Sequence, residues 1–140
     1  MLKSLRSDTK VEIDPPATVT CALAKALSTW LNETVQPETE ALLSSPVVKL
    51  HKATSYTCRN YYGSAYQPLS EHALANALDV SEFVLASGEH ITVLDSWPKV
   101  VSTPPARFLV KNLRRSCNIS QRFEQSSVMK CHEIRCRPQR

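Results

Sequence analysis

The segment that decides the fold is Ser70-Glu-His-Ala-Leu-Ala-Asn-Ala-Leu-Asp79, which continues as Val80-Ser-Glu-Phe-Val-Leu-Ala-Ser-Gly-Glu-His-Ile-Thr92. Its second half predicts a β-hairpin, with strands over 77–85 and 90–94 and a turn over 86–89 that contains a glycine. Its first half is rich in alanine, and such small residues allow the chain to turn tightly. The segment therefore predicts a hairpin whose first strand begins beside a loop that carries a histidine.

An amphipathic helix is the clearest signal upstream of this hairpin. Apolar residues recur at three- and four-residue steps from Cys21 to Val35, and Pro37 stops or restarts the helix. A strand-rich run begins at Val47. Residues 1–16 are polar and end in two prolines, which indicates an extended lead-in.

These elements together predict an α+β fold, because the strands and helices do not show the spacing of βαβ units. We expect a small single domain in which an N-terminal amphipathic helix packs on a short antiparallel sheet. A further helix is predicted over 106–115. The predicted domain covers 17–110, and the segment 111–140 is predicted to be a poorly ordered tail.

Length and composition limit the chain to one domain and exclude several functions. The 140 residues are 42% hydrophobic, which is enough for a single core. No stretch approaches the roughly 18 consecutive apolar residues of a membrane span. The only glycines are Gly63 and Gly88, so a glycine-rich phosphate-binding loop is excluded.

The basic charge of the chain is concentrated at its C-terminal end. Residues 111–140 contain eight Lys or Arg and two acidic residues, so they carry a net +6, and the rest of the chain carries −2 of the total of +4. No nucleic-acid-binding signature accompanies these arginines. We therefore expect no specific nucleic-acid partner.

His72 and Asp79 are the candidate metal ligands. They stand seven positions apart, with the histidine in the loop and the aspartate near the start of the predicted strand. Imidazole nitrogens and carboxylate oxygens both bind Zn²⁺, and a catalytic zinc site uses three protein ligands and an open position. The alternative from the residues alone is a hydrogen-bonded loop histidine and a strand-end carboxylate without a metal.

Several short motifs follow one another in a fixed order from about residue 14 to about residue 110. They are Cys21-Ala-Leu, Trp30-Leu, Val35-Gln-Pro, Val47-Val, Ser55-Tyr-Thr-Cys-Arg-Asn, the Ser70–Asp79 segment, Gly88-x-x-Ile-x-Val and Trp97. This order resembles the bacterial extensin-like C-terminal domain family. Within it, the Ser70–Asp79 segment is similar to the S-x-H-x-x-G-x-A-x-D element of the lysostaphin, D-Ala-D-Ala metallopeptidase and Sonic hedgehog zinc peptidase group, with Ala75 in place of the usual glycine.

The resemblance implies a zinc-peptidase-like site. His72 and Asp79 would bind zinc, and Ser70 would support these ligands without binding the metal. Arg59 would be the catalytic arginine that steadies a substrate carboxylate or a developing oxyanion. Intact relatives are expected to hydrolyse peptide bonds of peptidoglycan by means of a zinc-activated water.

The chain departs from this pattern downstream. Members of the group with an intact site have a late His-x-His strand that supplies the third ligand and a catalytic histidine. This chain has no His-x-His. The resemblance ends near Leu109, which indicates a shifted reading frame, a mis-called end or a truncated paralogue for 111–140. Two functions therefore remain open: a cell-wall-associated zinc peptidase with an incomplete, weakly binding site, and a non-catalytic module that binds or structures the cell wall.

Cysteine usage and the N-terminus indicate different compartments. The resemblance implies a periplasmic or secreted protein. It also implies a disulfide that involves Cys21 and Cys58, with Cys117 as another candidate partner. The alternative to a disulfide is a buried free thiol. The five cysteines are an odd number, so at least one stays outside any intramolecular disulfide. Met1 is followed by no apolar signal segment, so the chain is cytoplasmic if this start is genuine. We expect a monomer.

Overall fold

The computed structural model describes residues 1–6, 9–60, 65–66, 68–96 and 102–112. Within these ranges the chain forms strands and helices around one core. The strands are β1 (Leu2–Arg6), β2 (Lys10–Ala17), β3 (Val47–Thr54), β4 (Asp79–Leu85) and β5 (His90–Thr92). The helices are α1 (Cys21–Trp30), a π-helical segment (Leu31–Val35), α2 (Gln36–Leu43), α3 (Val93–Ser96) and α4 (104–112).

The five strands form one mixed sheet in the order β1-β2-β3-β4-β5. β2 and β3 are parallel, whereas the other neighbours are antiparallel. The fold is therefore α+β as predicted, but the expected purely antiparallel sheet is wrong. The helices between β2 and β3 form the crossover that a parallel pair requires.

The segment predicted as an extended lead-in contributes two strands to this sheet. Val11, Ile13 and Ala17 of β2 are buried, while Glu12 between them is exposed. This alternation is that of a strand with one face on the core. The adjacent Pro15 and Pro16 weigh against a strand in the sequence. The amphipathic helix that begins with α1, called the main helix below, consequently follows two strands. The prediction that it is the N-terminal element is wrong.

The predicted amphipathic helix forms, and helical structure continues past Pro37 to Leu43. Thr20 caps α1, since its hydroxyl accepts a hydrogen bond from the Leu23 amide at 3.2 Å. The helix continues through the π-helical segment into α2, where Pro37 lies in the first turn. Since proline has no N–H to donate, it interrupts the hydrogen bonds of this continuous helix, and Pro37 lies two residues after Val35, where the irregular π-helical segment ends.

The predicted hairpin is confirmed by β4 and β5. β4 begins at Asp79, two residues later than expected, and the turn contains Gly88 with a φ of 87°. Glycine adopts this left-handed backbone without steric cost. Phe83 and Leu85 are buried whereas Glu82 and Val84 are half-buried, so one face of the hairpin packs on the core.

Phe83 lies at the centre of the hydrophobic core. Its ring contacts Trp30 edge to face at 6.1 Å between centroids, and it contacts Phe108 of α4 at 5.1 Å. Its neighbours across the sheet are Leu50 and Ile91, and all three side chains are fully buried. The core is thus built from the sheet, the main helix and α4.

The remaining expectations concern the end of the chain. A helix is predicted over 106–115, and the structure has a helix over 104–112, the last described residues. The predicted tail begins at residue 111; residues 111 and 112 end α4, and 113–140 lie outside the described residues. In the part of the chain that the structure describes, no helix is both long and apolar enough to span a membrane.

Candidate functional site

The structure brings His72 and Asp79 together. His72 lies in the turn over 71–75, and Asp79 is the first residue of β4. The Nε2 atom of His72 is 3.4 Å from Oδ2 of Asp79. The histidine side chain is 16% exposed and the aspartate side chain 54% exposed, so the pair opens to solvent on the carboxylate side.

A backbone carbonyl fixes the orientation of the His72 ring. The Nδ1 atom is 2.6 Å from the carbonyl oxygen of Ser55, which directly follows β3. A carbonyl oxygen only accepts hydrogen bonds, so Nδ1 carries the proton and donates it. In a neutral ring the lone pair is then on Nε2, the atom that faces Asp79.

Two hydrogen-bond acceptors therefore face each other across 3.4 Å when the ring is neutral. This separation is longer than the common N–H···O distance of about 2.9–3.0 Å. A proton on Nε2 or a cation between the atoms removes the repulsion. The arrangement thus suits either an ion pair or two ligands of one metal ion.

Ser70 and Arg59 come from a short antiparallel pairing beside this turn. Asn60 and Leu69 form a β-bridge, and the Ser70 amide donates to the Arg59 carbonyl at 3.1 Å. Directly opposed residues of paired strands present their side chains on the same face. Arg59 and Ser70 are therefore neighbours across this pairing, and Ser70 is two residues from His72 along the chain.

The two side chains differ in their exposure. Ser70 is 5% exposed, and its Oγ atom is buried without a hydrogen-bond partner among the described residues. Arg59 is exposed to solvent. Ser70 therefore offers a buried polar atom directly before the His72 turn, and Arg59 offers a positive charge at the surface.

Ala75 occupies a backbone conformation that favours glycine. Its φ is 55°, in the left-handed region, and its side chain is fully buried. The position is the one where the similar zinc peptidase element carries glycine. The alanine is thus held in a strained conformation within the turn that carries His72.

A second group of imidazoles lies on the sheet. His90 Nδ1 is 2.9 Å from Oε1 of Glu82, and His51 Nε2 is 3.5 Å from Oε2 of the same residue. His51 also lies 3.7 Å from Asp14. Strand register alone juxtaposes them, because their positions in the sequence are far apart.

The structure describes two of the cysteines. Cys21 is disulfide-bonded, and Cys58 is exposed to solvent. The disulfide that the resemblance implied stays a prediction. Cys117 lies outside the described residues.

No third metal ligand joins His72 and Asp79 within the described ranges. Among those residues, no group of three or more histidine, cysteine, aspartate or glutamate side chains is arranged to hold a metal ion. The functional residues that the sequence did not reveal are Ser55, which acts through its carbonyl, and Thr20 and Asn76, which hold the turn. A backbone carbonyl has no residue-type signature, so sequence reasoning had no signal for Ser55.

Comparison with known proteins gives one result. No curated protein and no solved structure matches the chain. A model of the family described as extensin-like protein C-terminus matches residues 2–129, which extends past the predicted domain of 17–110 on both sides. Because this match covers most of the chain, the protein belongs to the extensin-like protein C-terminus family.

Proposed function

We propose that this protein is a cell-wall-associated member of its family with a zinc-peptidase-like half-site formed by His72 and Asp79. The observation that supports the proposal is the placement of the His72 Nε2 atom 3.4 Å from a carboxylate oxygen of Asp79. The Ser55 carbonyl fixes the tautomer, as carbonyls and carboxylates commonly do for metal-bound histidines. The proposed location is the periplasm or the cell exterior, and the proposed partner is peptidoglycan.

The donor atoms fit zinc in chemistry and spacing. Zinc binds imidazole nitrogen and carboxylate oxygen at about 2.0–2.2 Å, so two such ligands in a tetrahedral site lie about 3.4 Å apart. The separation of the His72 and Asp79 atoms is also 3.4 Å. The distance between the two donor atoms is therefore compatible with their binding one ion.

The surrounding residues suit peptide-bond chemistry at the surface. Bound zinc supplies a Lewis acid and lowers the pKa of a coordinated water. In this proposal the exposed Arg59 guanidinium binds a substrate carboxylate or stabilises negative charge that develops on the scissile carbonyl. Ser70 stays behind the ligands, where its buried hydroxyl is available to support them.

A non-catalytic cell-wall module is the second candidate. It is favoured by the lack of a third ligand in the described part of the chain and of a late His-x-His in the sequence. Zinc sites normally use three or four protein ligands, so two ligands bind the ion weakly. The two candidates differ in whether peptidoglycan is cleaved or only bound.

We expect weak zinc binding that depends on both ligands. In a competition titration against a chromophoric chelator, the protein should hold less than one zinc per chain. His72→Ala and Asp79→Asn should weaken the binding roughly tenfold or more, since each removes half of the donor set. His90→Ala is the matched control, because it removes an imidazole from the other cluster, and it should bind zinc like the wild type.

Equal binding by the wild type and by His72→Ala would contradict the half-site. One tightly held zinc per chain that is lost in His72→Ala would contradict the two-ligand count and favour the peptidase. Incubation with purified peptidoglycan then separates the two candidates. Release of soluble peptides identifies hydrolysis, whereas co-sedimentation without release identifies a binding module.

A further inference from the structure

Asn76 makes hydrogen bonds in two directions from the end of the His72 turn. Its Nδ2 atom donates to Oε2 of Glu71 at 3.0 Å, and its backbone amide donates to the Glu71 carbonyl at 2.8 Å. Its Oδ1 atom accepts from the Thr20 hydroxyl at 3.3 Å. Asn76 therefore closes the turn around His72 and links it to another part of the chain.

The other part of the chain is the start of α1. Thr20 caps that helix and also donates its backbone amide to the Ala75 carbonyl at 2.8 Å. Two residues earlier, the Thr18 amide lies 3.3 Å from Oγ of Ser55, whose carbonyl accepts from His72. The segment before α1 thus contacts the His72 turn on one side and the residue that orients the ring on the other.

We propose that Asn76 is a positioning residue for the His72–Asp79 pair. Its side-chain amide links the N-terminus of α1 to the turn through hydrogen bonds. This link holds the turn in the position in which Nε2 of His72 faces Asp79. The inference rests on the proposed metal half-site and adds to it a residue that binds no metal itself. Substitution of residues that orient metal ligands in this way commonly lowers metal affinity by about 10- to 100-fold.

Only an amide side chain of this length satisfies both neighbours. The Glu71 carboxylate accepts from the side-chain amide, and the Thr20 hydroxyl donates to its oxygen, both at the exposed surface. Aspartate keeps the acceptor but loses the donor and places a second negative charge against Glu71. Alanine loses both interactions.

A charge-and-amide swap tests the proposal. Asn76→Asp places two carboxylates together, and the additional change Glu71→Gln restores the pair with the donor on residue 71. The probe is Co²⁺, whose d–d absorption reports both its affinity and its ligand geometry. The second measurement is ¹⁵N NMR of His72 in the metal-free protein, which reports the ring nitrogen that carries the proton.

We expect Asn76→Ala and Asn76→Asp to weaken Co²⁺ binding about tenfold or more. The double variant should return to within about threefold of the wild type. The metal-free wild type should show the proton on Nδ1, and Asn76→Asp should show a mixture of tautomers that the double variant reverses. Urea unfolding of each variant identifies the fraction that is folded, so that affinities are compared for folded protein.

Unchanged Co²⁺ affinity and an unchanged His72 tautomer in Asn76→Asp would overturn the proposal. Failure of the double variant to recover would overturn it as well, because a general loss of packing is not restored by the swap. If the wild type binds no Co²⁺, the proposed half-site fails. The tautomer of the metal-free protein then still decides whether Asn76 positions the ring.

Discussion

Replacement of Phe83 by alanine should lower the free energy of unfolding by about 3–5 kcal/mol, the usual cost of truncating a fully buried phenylalanine. The ring contacts Trp30 and Phe108, so its removal leaves a cavity between the sheet, the main helix and α4. Edge-to-face aromatic pairs contribute about 0.5–1.5 kcal/mol beyond burial alone. Urea denaturation followed by tryptophan fluorescence measures the change.

Two control variants show whether the loss of stability is specific to the Phe83 ring. Phe83→Leu keeps much of the volume and loses the aromatic contacts, so it should cost less than the alanine variant. Val84→Ala changes the next residue of β4, which is only half-buried, and should cost about 1 kcal/mol or less. A loss of less than 1 kcal/mol in Phe83→Ala would show that Phe83 is not at the centre of the core.

Replacement of Ala75 by valine should destabilise the protein by about 2–4 kcal/mol. Ala75 has a φ of 55° and no exposed surface. A β-branched side chain is strained in the left-handed region. Its additional methyl groups would also overlap with the side chains packed around this buried position. The variant should also weaken metal binding, because the strained turn carries His72.

Glycine at position 75 is the matched control. Relief of the left-handed strain and loss of a buried methyl group oppose each other, so Ala75→Gly should change stability by about 1 kcal/mol or less. Thermal unfolding of the three proteins gives the order. Valine at the level of the wild type would contradict the backbone conformation of this turn.

The hairpin and the main helix were predictable because each has a complete local pattern. β4 alternates between buried and half-buried residues around Phe83, and the turn carries Gly88. The first two strands were not predictable in the same way, because Pro15 and Pro16 interrupt the signal of β2. Without those strands, the parallel β2–β3 pair and its helical crossover were hidden as well.

The candidate site was predictable only in part. Spacing and resemblance selected His72 and Asp79, and the structure places their donor atoms 3.4 Å apart. The groups that orient them are long-range: Ser55 is 17 residues from His72, and Thr20 is 56 residues from Asn76. Such contacts depend on how the main helix returns to the sheet, so no local pattern encodes them.

The most direct test of the metal half-site is the ¹⁵N spectrum of the His72 ring during a zinc titration. We predict that the Nε2 resonance moves as zinc is added, that Nδ1 keeps the proton it donates to Ser55, and that Asp79→Asn abolishes the shift. A ring that carries protons on both nitrogens and whose resonances do not respond to zinc would contradict the account. It would identify the His72–Asp79 contact as an ion pair.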